Sequence, residues 1–537
     1  MQQHDVDVAI AGAGPVGLGL ALDLALQGKS VVLLEKTQGL HHIPKGQSLT
    51  QRTGEHFRRW GISEAVRERS PIPPSFGNAG LIAYGQLLST HHHDWFQRSR
   101  VRPFYFADNE RLPQYLLEQV LRERAAALPS IRLITGATVT GVTQDQDSAT
   151  LSAVDDAGAP LASVRAAYAV GCDGARSAVR DWVGITQSTD HQGPKMVLLV
   201  FRSPALDALL QARHPGKTIF NVMNPELGGY WQFLGRVDLN GGWFYHAPVP
   251  DDTTRDNFDF RAYLHQVVGQ AFDLDFEHIG FWDLRISIAD DYRHGRVFIA
   301  GDAAHSHPPY GGYGVNTGFE DITNLSWKLL ASLDGWAGPD LLASYTSERR
   351  PVFKSTSQDF IARMIDDFGD FCRRHDPQRD AQDFDAAWQR RAQADDVDVT
   401  EYRPHYSGSP LVTGGDAGPP GARGRHRVAA QAGHHLAPQA LPSGQDLWDE
   451  LGGGFVLLDF SANAQTAPAF GEAAQALGLP LRIAHHASPE LAQAYGAEQV
   501  LVRPDLFVAW TSATPAAAAD VLARAVGHGG AQEAGLH

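Results

Sequence analysis

A glycine-rich stretch near the N-terminus constrains the fold of this chain most. The sequence GAGPVG at residues 12–17 stands between an apolar, strand-like segment and a helical run, and Glu35 closes the next apolar segment. Such glycines allow a tight turn, close backbone approach to a phosphate group and close packing of helix on strand. The glycines alone would also suit a plain strand-to-helix turn. With the strand, the spacing and an acid that can accept from a ribose hydroxyl, they predict a Rossmann-type adenine-dinucleotide site.

Length, charge and cysteine content narrow the class of protein further. A chain of 537 residues exceeds what one hydrophobic core usually organises, so two or three domains are expected. A formal net charge of −16 argues against a surface that binds nucleic acid. Cys172 and Cys372 are the only cysteines, which leaves no disulfide framework and no thiolate zinc site. We expect a chain from a reducing compartment.

The sequence also indicates where the chain resides. No secretory signal is readable at the N-terminus, and no apolar stretch approaches the roughly 20 residues that cross a bilayer. We therefore expect a cytoplasmic enzyme with no membrane partner. Three histidines at 91–93 lack suitably spaced acidic or cysteine partners, so we interpret them as a solvated loop and expect no metal.

Two further motifs follow apolar segments. The sequence GCDGARSAVR occupies residues 171–180, and VFIAGDAAHSHPPYGGYGVNTG occupies residues 297–318. After the second motif, Ile322, Leu325 and Leu329 fall on one face of a helix. An Asp-Gly or Gly-Asp pair directly after a buried strand places a carboxylate at the edge of the sheet, although an Asx turn or a helix cap would use the same residues.

Hydrophobic periodicity outlines the remaining elements. It predicts helices at about 52–60, ending at Gly61, and at about 113–127, followed by a β-meander of strands at 131–134, 138–143 and 150–154. Residues 356–400 show helical spacing, 407–425 are rich in Gly and Pro and read as a linker, and the C-terminal segment alternates strands with helices.

The three motifs, in this order and along nearly the whole chain, resemble the single-component, class A FAD-dependent aromatic hydroxylases. The similarity is to the phenol hydroxylase, hydroxyphenylpropionate hydroxylase and polyketide hydroxylase group. It implies an α/β fold: a Rossmann-type FAD-binding domain, a β-sheet substrate domain and a C-terminal thioredoxin-like domain. The expected boundaries are 1–190 with 286–355 for the FAD domain, 191–285 for the substrate domain, 356–425 for the helical connection and linker, and 426–537 for the thioredoxin-like domain.

The resemblance also implies an activity. It is that of an FAD-dependent monooxygenase that hydroxylates a phenolic aromatic substrate with O2 and NAD(P)H through a flavin hydroperoxide. A small phenol is preferred over a polyketide-type substrate, and the choice between NADPH and NADH stays open. The alternatives are a flavin-dependent oxidase or dehydrogenase without oxygen insertion, and a noncatalytic flavin-binding protein. A homodimer is implied by the resemblance alone, and the C-terminal domain, without redox cysteines, is expected to serve packing or dimer formation.

Cofactor residues are carried over motif by motif, with Lys45 standing where relatives commonly have arginine. The residues expected to bind FAD are Gly12, Gly14, Pro15, Val16, Gly17, Glu35, Lys36, Lys45, Arg111, Gln114, Asp173, Gly301, Asp302, Pro309, Gly314, Val315 and Asn316.

Catalytic and substrate residues are less constrained. His305, Tyr310 and Tyr313 lie beside the third motif and are candidates for sharing a phenolic proton, although each also suits a structural role in the turn. Tyr230, Tyr245 and Arg285 are candidates for contacting the substrate. Aromatic residues in strands are more often core than ligand contacts, and Arg285 is equally suited to a structural ion pair.

Overall fold

The structure is a computed structural model, and it describes residues 2–76, 79–394 and 396–529, with only the backbone at 190–192. Residues 530–537 of the expected C-terminal domain lie outside the described residues. Within the described ranges, no helix combines the length and the apolar character that spanning a membrane requires.

Strands and helices alternate along the first half of the chain and again near the C-terminus. The strands are β1 (Gln2–Ala11), β2 (Val31–Glu35), β3 (Ser48–Leu49), β4 (Gly80–Tyr84), β5 (His92–Trp95), β6 (Glu110–Arg111), β7 (Ile131–Thr135), β8 (Thr138–Gln144), β9 (Ala149–Val154), β10 (Pro160–Gly171), β11 (Gln187–Arg202), β12 (Ile219–Met223), β13 (Gln232–Arg236), β14 (Gly242–Pro248), β15 (Asp275–Ala289), β16 (Arg293–His294), β17 (Val297–Ile299), β18 (His305–Ser306), β19 (Tyr402–His405), β20 (Gly421–Arg423), β21 (Phe455–Asp459), β22 (Leu481–His485), β23 (Gln499–Val502) and β24 (Val508–Thr511).

The helices cover the faces of these sheets. They are α1 (Pro15–Leu26), α2 (Gln51–Trp60), α3 (Ser63–Arg69), α4 (Gln114–Ala126), α5 (Ala178–Trp182), α6 (Pro204–Arg213), α7 (Phe260–Val268), α8 (Gly314–Leu333), α9 (Ser344–Ser355), α10 (Arg363–Arg374), α11 (Ala381–Gln393), α12 (Val397–Thr400), α13 (Trp448–Leu451), α14 (Ala467–Leu477), α15 (Pro489–Tyr495) and α16 (Ala518–Ala525). A π-helical segment, Thr356–Ala362, joins α9 to α10.

The first sheet is the predicted Rossmann-type unit. Its strands run in the order β16-β17-β10-β1-β2-β7, and β9 and β8 continue it beside β10. The first strand of the predicted β-meander, β7, instead pairs parallel with β2, so the antiparallel meander consists of β8, β9 and β10. Strands β2, β1, β10 and β17 are parallel, with Ala11 paired to Gly171 and Gly171 paired to Ile299. Near-continuous apolar sequence buries these strands on both faces, as parallel sheets require. The register therefore brings all three glycine-containing motifs to one edge of the sheet.

The second sheet is antiparallel except for one pair. Its order is β18-β15-β11-β14-β13-β12-β4-β5, with β12 and β4 parallel. One face packs on α6 and α7 through a separate apolar cluster that includes Leu199, Trp243 and Leu264. This sheet corresponds to the expected substrate region, but it also takes in residues 80–95, which sequence had assigned to the FAD-binding domain.

One local interpretation was wrong. Residues 91–93 do not form a solvated loop, because His92–Trp95 is a strand that pairs antiparallel with β4. Backbone pairing at the sheet edge overrides the polar composition there. The segment 407–425, interpreted as a linker, is attached to the rest of the chain: β20 pairs with β19, and the Ser409 hydroxyl donates to the buried Glu348 carboxylate at 2.6 Å.

The C-terminal unit forms its own four-stranded sheet. Its strand order is β22-β21-β23-β24, with β21 and β22 parallel and the other pairs antiparallel. A cluster of apolar side chains joins this unit to α8, where Trp327 meets Phe455 edge to face at 5.5 Å. The C-terminal sheet is thus packed directly behind the helix that follows the third motif.

Candidate functional site

The three bends at the edge of the first sheet pack against one another. Gly12 has φ +99°, and a Cβ there would lie 2.4 Å from the carbonyl oxygen of Cys172 in the second motif. A Cβ on Gly17 would lie 2.1 Å from the Gly12 carbonyl oxygen. On the other side, Val16 fills the space beside Gly301, where a Cβ would come within 3.0 Å of Cγ2. Glycine is therefore required at 12 and 17 to build the loop.

Glu35 holds the glycine loop from below. Its carboxylate accepts hydrogen bonds from the Ala13 N–H at 2.8 Å and from the Thr37 hydroxyl at 2.7 Å. Burial raises the pKa of Glu35, but these hydrogen bonds outweigh burial and hold the pKa below its usual value. Glu35 does not line the described cavity. The residue that the sequence assigned to a ribose contact thus supports the glycine loop in this structure.

Two helices begin at this edge with their N-termini open. Helix α1 starts with Pro15 after Gly14, and α8 starts at Gly314. Neither has an acidic residue in its first turn or a side-chain cap within the described chain. Free backbone N–H groups and the positive end of the helix dipole favour an anion at both places. A Cβ on Gly14 would meet no atom within 4 Å, so space stays open directly above it.

A cavity of about 900 Å³ lies between this edge and the second sheet. Of the residues predicted for the cofactor and substrate, those on the described cavity wall are Gly14, Pro15, Val16, Lys45, Arg111, Gln114, Arg285, Asp302, Pro309, Gly314 and Val315.

Arg111 is the most unusual charge on this wall. It is buried, and its guanidinium donates to backbone and amide oxygens, the shortest contact being 2.7 Å to the Arg236 carbonyl. Burial, with Arg236 nearby, lowers the pKa of Arg111 to about 9, and no carboxylate of the described chain pairs with it. Its Nε also lacks a partner there. Buried charges are normally paired, so Arg111 suits an anionic ligand.

Asp302 opens into the cavity. Crowding by surrounding protein atoms raises the pKa of its carboxyl group, while His305 and Lys45 act in the opposite direction. A carboxylate at this place can accept from a hydroxyl, and Lys45 brings a positive charge to the same wall. The wall around the third motif therefore offers both an acceptor and a cation.

His305 belongs to a buried network beneath the bend and not to the cavity wall. Its Nε2 lies 2.6 Å from Asp321 Oδ2, which also accepts from the Gly301 N–H at 3.1 Å. The Arg349 guanidinium donates to the other Asp321 oxygen at 2.8 Å. The network fixes the backbone of Gly301, so His305, a candidate for sharing a phenolic proton, has the contacts of a positioning residue.

The two tyrosine candidates are also core residues. Tyr310 is 1 % exposed and packs 3.8 Å from the Trp231 ring, and Tyr313 is fully buried with its hydroxyl donating to the Asp398 carbonyl at 3.3 Å. Neither lies on the described cavity wall. The turn around Gly311, with φ +69°, directs both side chains inward.

Several expected cofactor residues shape the site without reaching the described cavity wall. The Asn316 amide binds Thr50 and Ser48, tying α8 to β3 and α2. Asp173 Oδ2 accepts from the Val179 N–H at 3.1 Å in the first turn of α5, and its Oδ1 is buried without a partner in the described chain. Lys36 is exposed on the surface. Contact of these residues with FAD stays a prediction.

Alternation along β14 decides between the substrate candidates. Phe244 and His246 face the cavity, whereas Tyr245 between them lies in the cluster on the opposite face, 5.9 Å from Tyr263. Tyr245 therefore points away from the described cavity. Tyr230 is half-buried beside Gly193 and also lies off the described cavity wall, while Arg285 reaches it.

The sequence indicated that strands of the substrate region supply aromatic side chains to the pocket, but it did not identify the ones that face the cavity. Phe233, Phe244, His246 and Trp282 line the cavity opposite the third motif. The period-2 pattern of strands was the available signal, but apolar residues occupy both faces of β14, so the pattern does not indicate which face holds the ligand.

His307 completes the wall beside Pro308 and Pro309. Its Nδ1 donates to the Pro308 carbonyl at 2.6 Å, and its Nε2 is buried without a partner in the described chain. Burial lowers the pKa of His307 to about 4, so the ring is neutral at pH 7. With Nδ1 donating, Nε2 is an acceptor beside the start of α8.

The residues present fit an FAD molecule. Space above Gly14 lies at a helix N-terminus, Arg111 is a buried cation without a carboxylate, and Asp302 offers an acceptor. Polar atoms of the wall that lack partners within the described chain are Gln47 Nε2, Arg111 Nε, His246 Nδ1, Trp282 Nε1 and His307 Nε2. Such atoms are rare in folded proteins unless a ligand or water satisfies them.

Comparison with known proteins agrees with this geometry. A family model described as FAD binding domain matches residues 5–359, and one described as aromatic-ring hydroxylase, C-terminal, matches residues 430–529. The chain is 31% identical to 4-methyl-5-nitrocatechol 5-monooxygenase of Burkholderia sp, over 95% of this chain and 94% of the relative. It is 29% identical to aklavinone 12-hydroxylase RdmE of Streptomyces purpurascens, over 97% of both chains. The solved structure of the flavin-dependent monooxygenase PieE with FAD and substrate superimposes with a TM-score of 0.83 at 25% identity, covering 98% of this chain and 100% of that one.

The Rossmann-type sheet, the open helix ends and the aromatic wall define a flavin-dependent oxidoreductase. The match over residues 5–359 places the chain more narrowly: it belongs to the FAD-binding domain family. Together with the aromatic-ring hydroxylase match and the monooxygenase relatives, this makes it an FAD-dependent aromatic monooxygenase.

Proposed function

We propose that this monooxygenase hydroxylates a small phenolic substrate, with O2 as the oxygen source and NADPH or NADH as the reductant. The observation that carries the proposal is the shared cavity: the glycine bends and open helix ends form one wall, and aromatic side chains of the second sheet form the other. One space thus has room for a dinucleotide beside an aromatic ring. Similarity to 4-methyl-5-nitrocatechol 5-monooxygenase over 95% of the chain supports a small ring.

Bound FAD supplies electron transfer from the reduced pyridine nucleotide and reaction with O2. The residues proposed to hold it are Gly14, Pro15, Val16, Lys45, Arg111, Gln114, Asp302, Pro309, Gly314 and Val315. Arg111 and the start of α1 suit negative charge, and Asp302 accepts from a hydroxyl. The second sheet closes the cavity with Phe233, Phe244 and Trp282, which exclude water from the aromatic ring.

We also propose that the chain divides into an N-terminal and a C-terminal unit. The matched ranges 5–359 and 430–529 support an N-terminal FAD and substrate unit followed by a separate C-terminal unit. The strand–helix order β21-α14-β22-α15-β23-β24-α16 supports a thioredoxin-like description of the latter. A homodimer is proposed on the family resemblance, and a cytoplasmic location on the lack of a disulfide framework, which suits a reducing compartment.

Oxygen labelling tests this function. The holoenzyme should consume NADPH or NADH faster when a phenol is added, and the hydroxylated product should carry ¹⁸O when the reaction runs under ¹⁸O₂. Stimulated consumption without labelled product would support the oxidase alternative, and label from H₂¹⁸O would contradict the mechanism. FAD binding without any pyridine-nucleotide oxidation would support a noncatalytic flavin protein.

A fused polyketide is the second candidate substrate. The similarity to aklavinone 12-hydroxylase RdmE extends over 97% of the chain, and the cavity measures about 900 Å³. Parallel turnover with simple phenols and with a fused phenolic polycycle separates the two, because the preferred class should show the higher kcat/KM.

A further inference from the structure

Two polar atoms in the aromatic half of the cavity lack partners in the described chain. His246 Nδ1, on β14, and Trp282 Nε1, on β15, are both buried and make no hydrogen bond there. Both residues line the cavity, and their rings meet edge to face with centroids 5.7 Å apart. Rings this close can both contact a single oxygen substituent, or two neighbouring ones, on a small aromatic ring.

The cluster that packs against this pair is apolar, although His278, Asp283 and Arg285 of β15 also line the cavity. Leu198, Val200 and Phe244 form a small buried cluster on this side of the sheet, with Phe233 and Trp282 packed against it. Burial alone lowers the pKa of His246 to about 4, without a contribution from any charged group. The imidazole is therefore neutral at pH 7 and offers one donor and one acceptor, while the indole N–H only donates.

The other three unpartnered atoms of the wall lie outside β14 and β15. Gln47 Nε2 precedes β3, Arg111 Nε is on β6, and His307 Nε2 lies near Gly314 at the start of α8. These atoms stand among the residues proposed to hold FAD. His246 and Trp282 lie on the second sheet and face the space left for the aromatic ring.

We propose that His246 and Trp282 together bind a phenolic hydroxyl of the substrate and thereby select phenols over rings without this group. This inference rests on the proposed function, because it assumes that the cavity admits an aromatic ring. The indole N–H donates to the phenolic oxygen. The imidazole, with its proton on Nε2, accepts from the hydroxyl through Nδ1. A neutral pair in an apolar wall favours an uncharged phenol over a carboxylate at this position.

Substitutions that remove one polar atom at a time test the pair. Trp282→Phe keeps an aromatic ring but loses the N–H, and His246→Leu removes both ring nitrogens. We expect each to weaken phenol binding to the holoenzyme about 10-fold, since one hydrogen bond is lost and its partner is left unsatisfied. His246→Asn retains a short polar group and should recover part of the loss.

The hydrocarbon toluene serves as the second ligand. It has the same ring but neither donates nor accepts a conventional hydrogen bond, so wild-type protein should bind it without the contribution of the His246 and Trp282 pair. The same substitutions should change its binding by less than about twofold. Binding is measured by perturbation of the flavin absorbance, without turnover.

Two neighbours on the opposite face of β14 provide matched controls. Trp243→Phe removes an indole N–H that donates to the Ser203 carbonyl at 3.4 Å, and Tyr245→Phe removes one hydroxyl. Both should leave phenol binding and the FAD content unchanged.

The outcomes are distinct. Selective loss of phenol binding in Trp282→Phe and His246→Leu supports the pair. Equal losses for phenol and toluene, or unchanged binding of both, would overturn it, since the two residues would then only shape the wall. If phenol binds through the pair but no labelled oxygen enters the product, the proposed function fails while this inference stands.

Discussion

Arg503 of the C-terminal unit donates to the Glu348 carboxylate of α9 from Nη1 and Nη2, at 2.6 and 2.9 Å, and both side chains are fully buried. Lys328 of α8 donates to the same carboxylate at 2.8 Å. The burial of these charges is compensated only while the set stays complete. The contact links the C-terminal sheet to the two helices that carry Asp321 and Arg349, which fix the third bend.

Removing the Arg503 guanidinium should lower the stability of the folded chain. We expect Arg503→Met to lower the free energy of unfolding by about 3–5 kcal/mol, because Glu348 would keep a buried charge with an incomplete set of partners. Arg482→Met, which breaks the exposed pair with Glu450, should cost less than about 1 kcal/mol. Urea unfolding of both variants measures the difference, and equal costs would count against the coupling.

Two alanine substitutions in the glycine loop should have different effects, one on stability and the other on FAD affinity. Gly12→Ala forces a side chain into the left-handed region and against the Cys172 carbonyl, so the apoprotein should lose about 2 kcal/mol or more. Gly14→Ala meets open space at an ordinary backbone conformation, so the apoprotein should stay within about 0.5 kcal/mol of wild type. Its Cβ enters the cavity, however, and FAD affinity should fall. Thermal unfolding with FAD titration separates the two, and normal affinity in Gly14→Ala would contradict the site.

Acid should destabilise the apoprotein partly through His246. The folded state holds this imidazole neutral with a pKa of about 4, whereas the unfolded chain binds a proton near the ordinary value of 6.5. The unfolded state therefore gains protons first as the pH falls, and stability is lost between pH 6.5 and 4. Between pH 7 and 5, wild type should lose about 2 kcal/mol more than His246→Leu in urea unfolding. Equal losses would show that His246 is already solvated.

His305 should act on structure and not on proton transfer. Because it binds Asp321 below the bend, His305→Asn should lower FAD content while kcat of the FAD-saturated enzyme falls less than about 10-fold. The shape of the kcat against pH profile should not change. Loss of one ionisation from that profile would make His305 a participant in the reaction.

The kind of sequence pattern determines which parts of the fold and of the site could be predicted. The glycine bends, strands and helices of the first sheet were predictable. Backbone contacts leave no room for a side chain at Gly12 and Gly17, and the buried strands require apolar sequence. The FAD-dependent class followed from the motifs and is confirmed. Side-chain direction was not predictable: His305 and Tyr310 lie beside Asp302 in sequence, yet pack into the core.

The second sheet shows the same limit. Tyr245 and His246 are neighbours on a strand whose two faces are both buried, so nothing local tells which one meets the ligand. That choice is made by α7, which covers the Tyr245 face through Leu264 and Tyr263. Contacts between segments far apart in sequence therefore determine which residues of this strand face the cavity, and a local pattern does not show them.

The position of bound FAD tests the central claim most directly. A crystal structure of the protein grown with excess FAD should show one cofactor per chain in the cavity, between Gly14 and the start of α8 at Gly314, with Arg111 and Asp302 in contact. Flavin bound elsewhere, or protein that takes up no flavin, would contradict the convergence of the three bends on one FAD site.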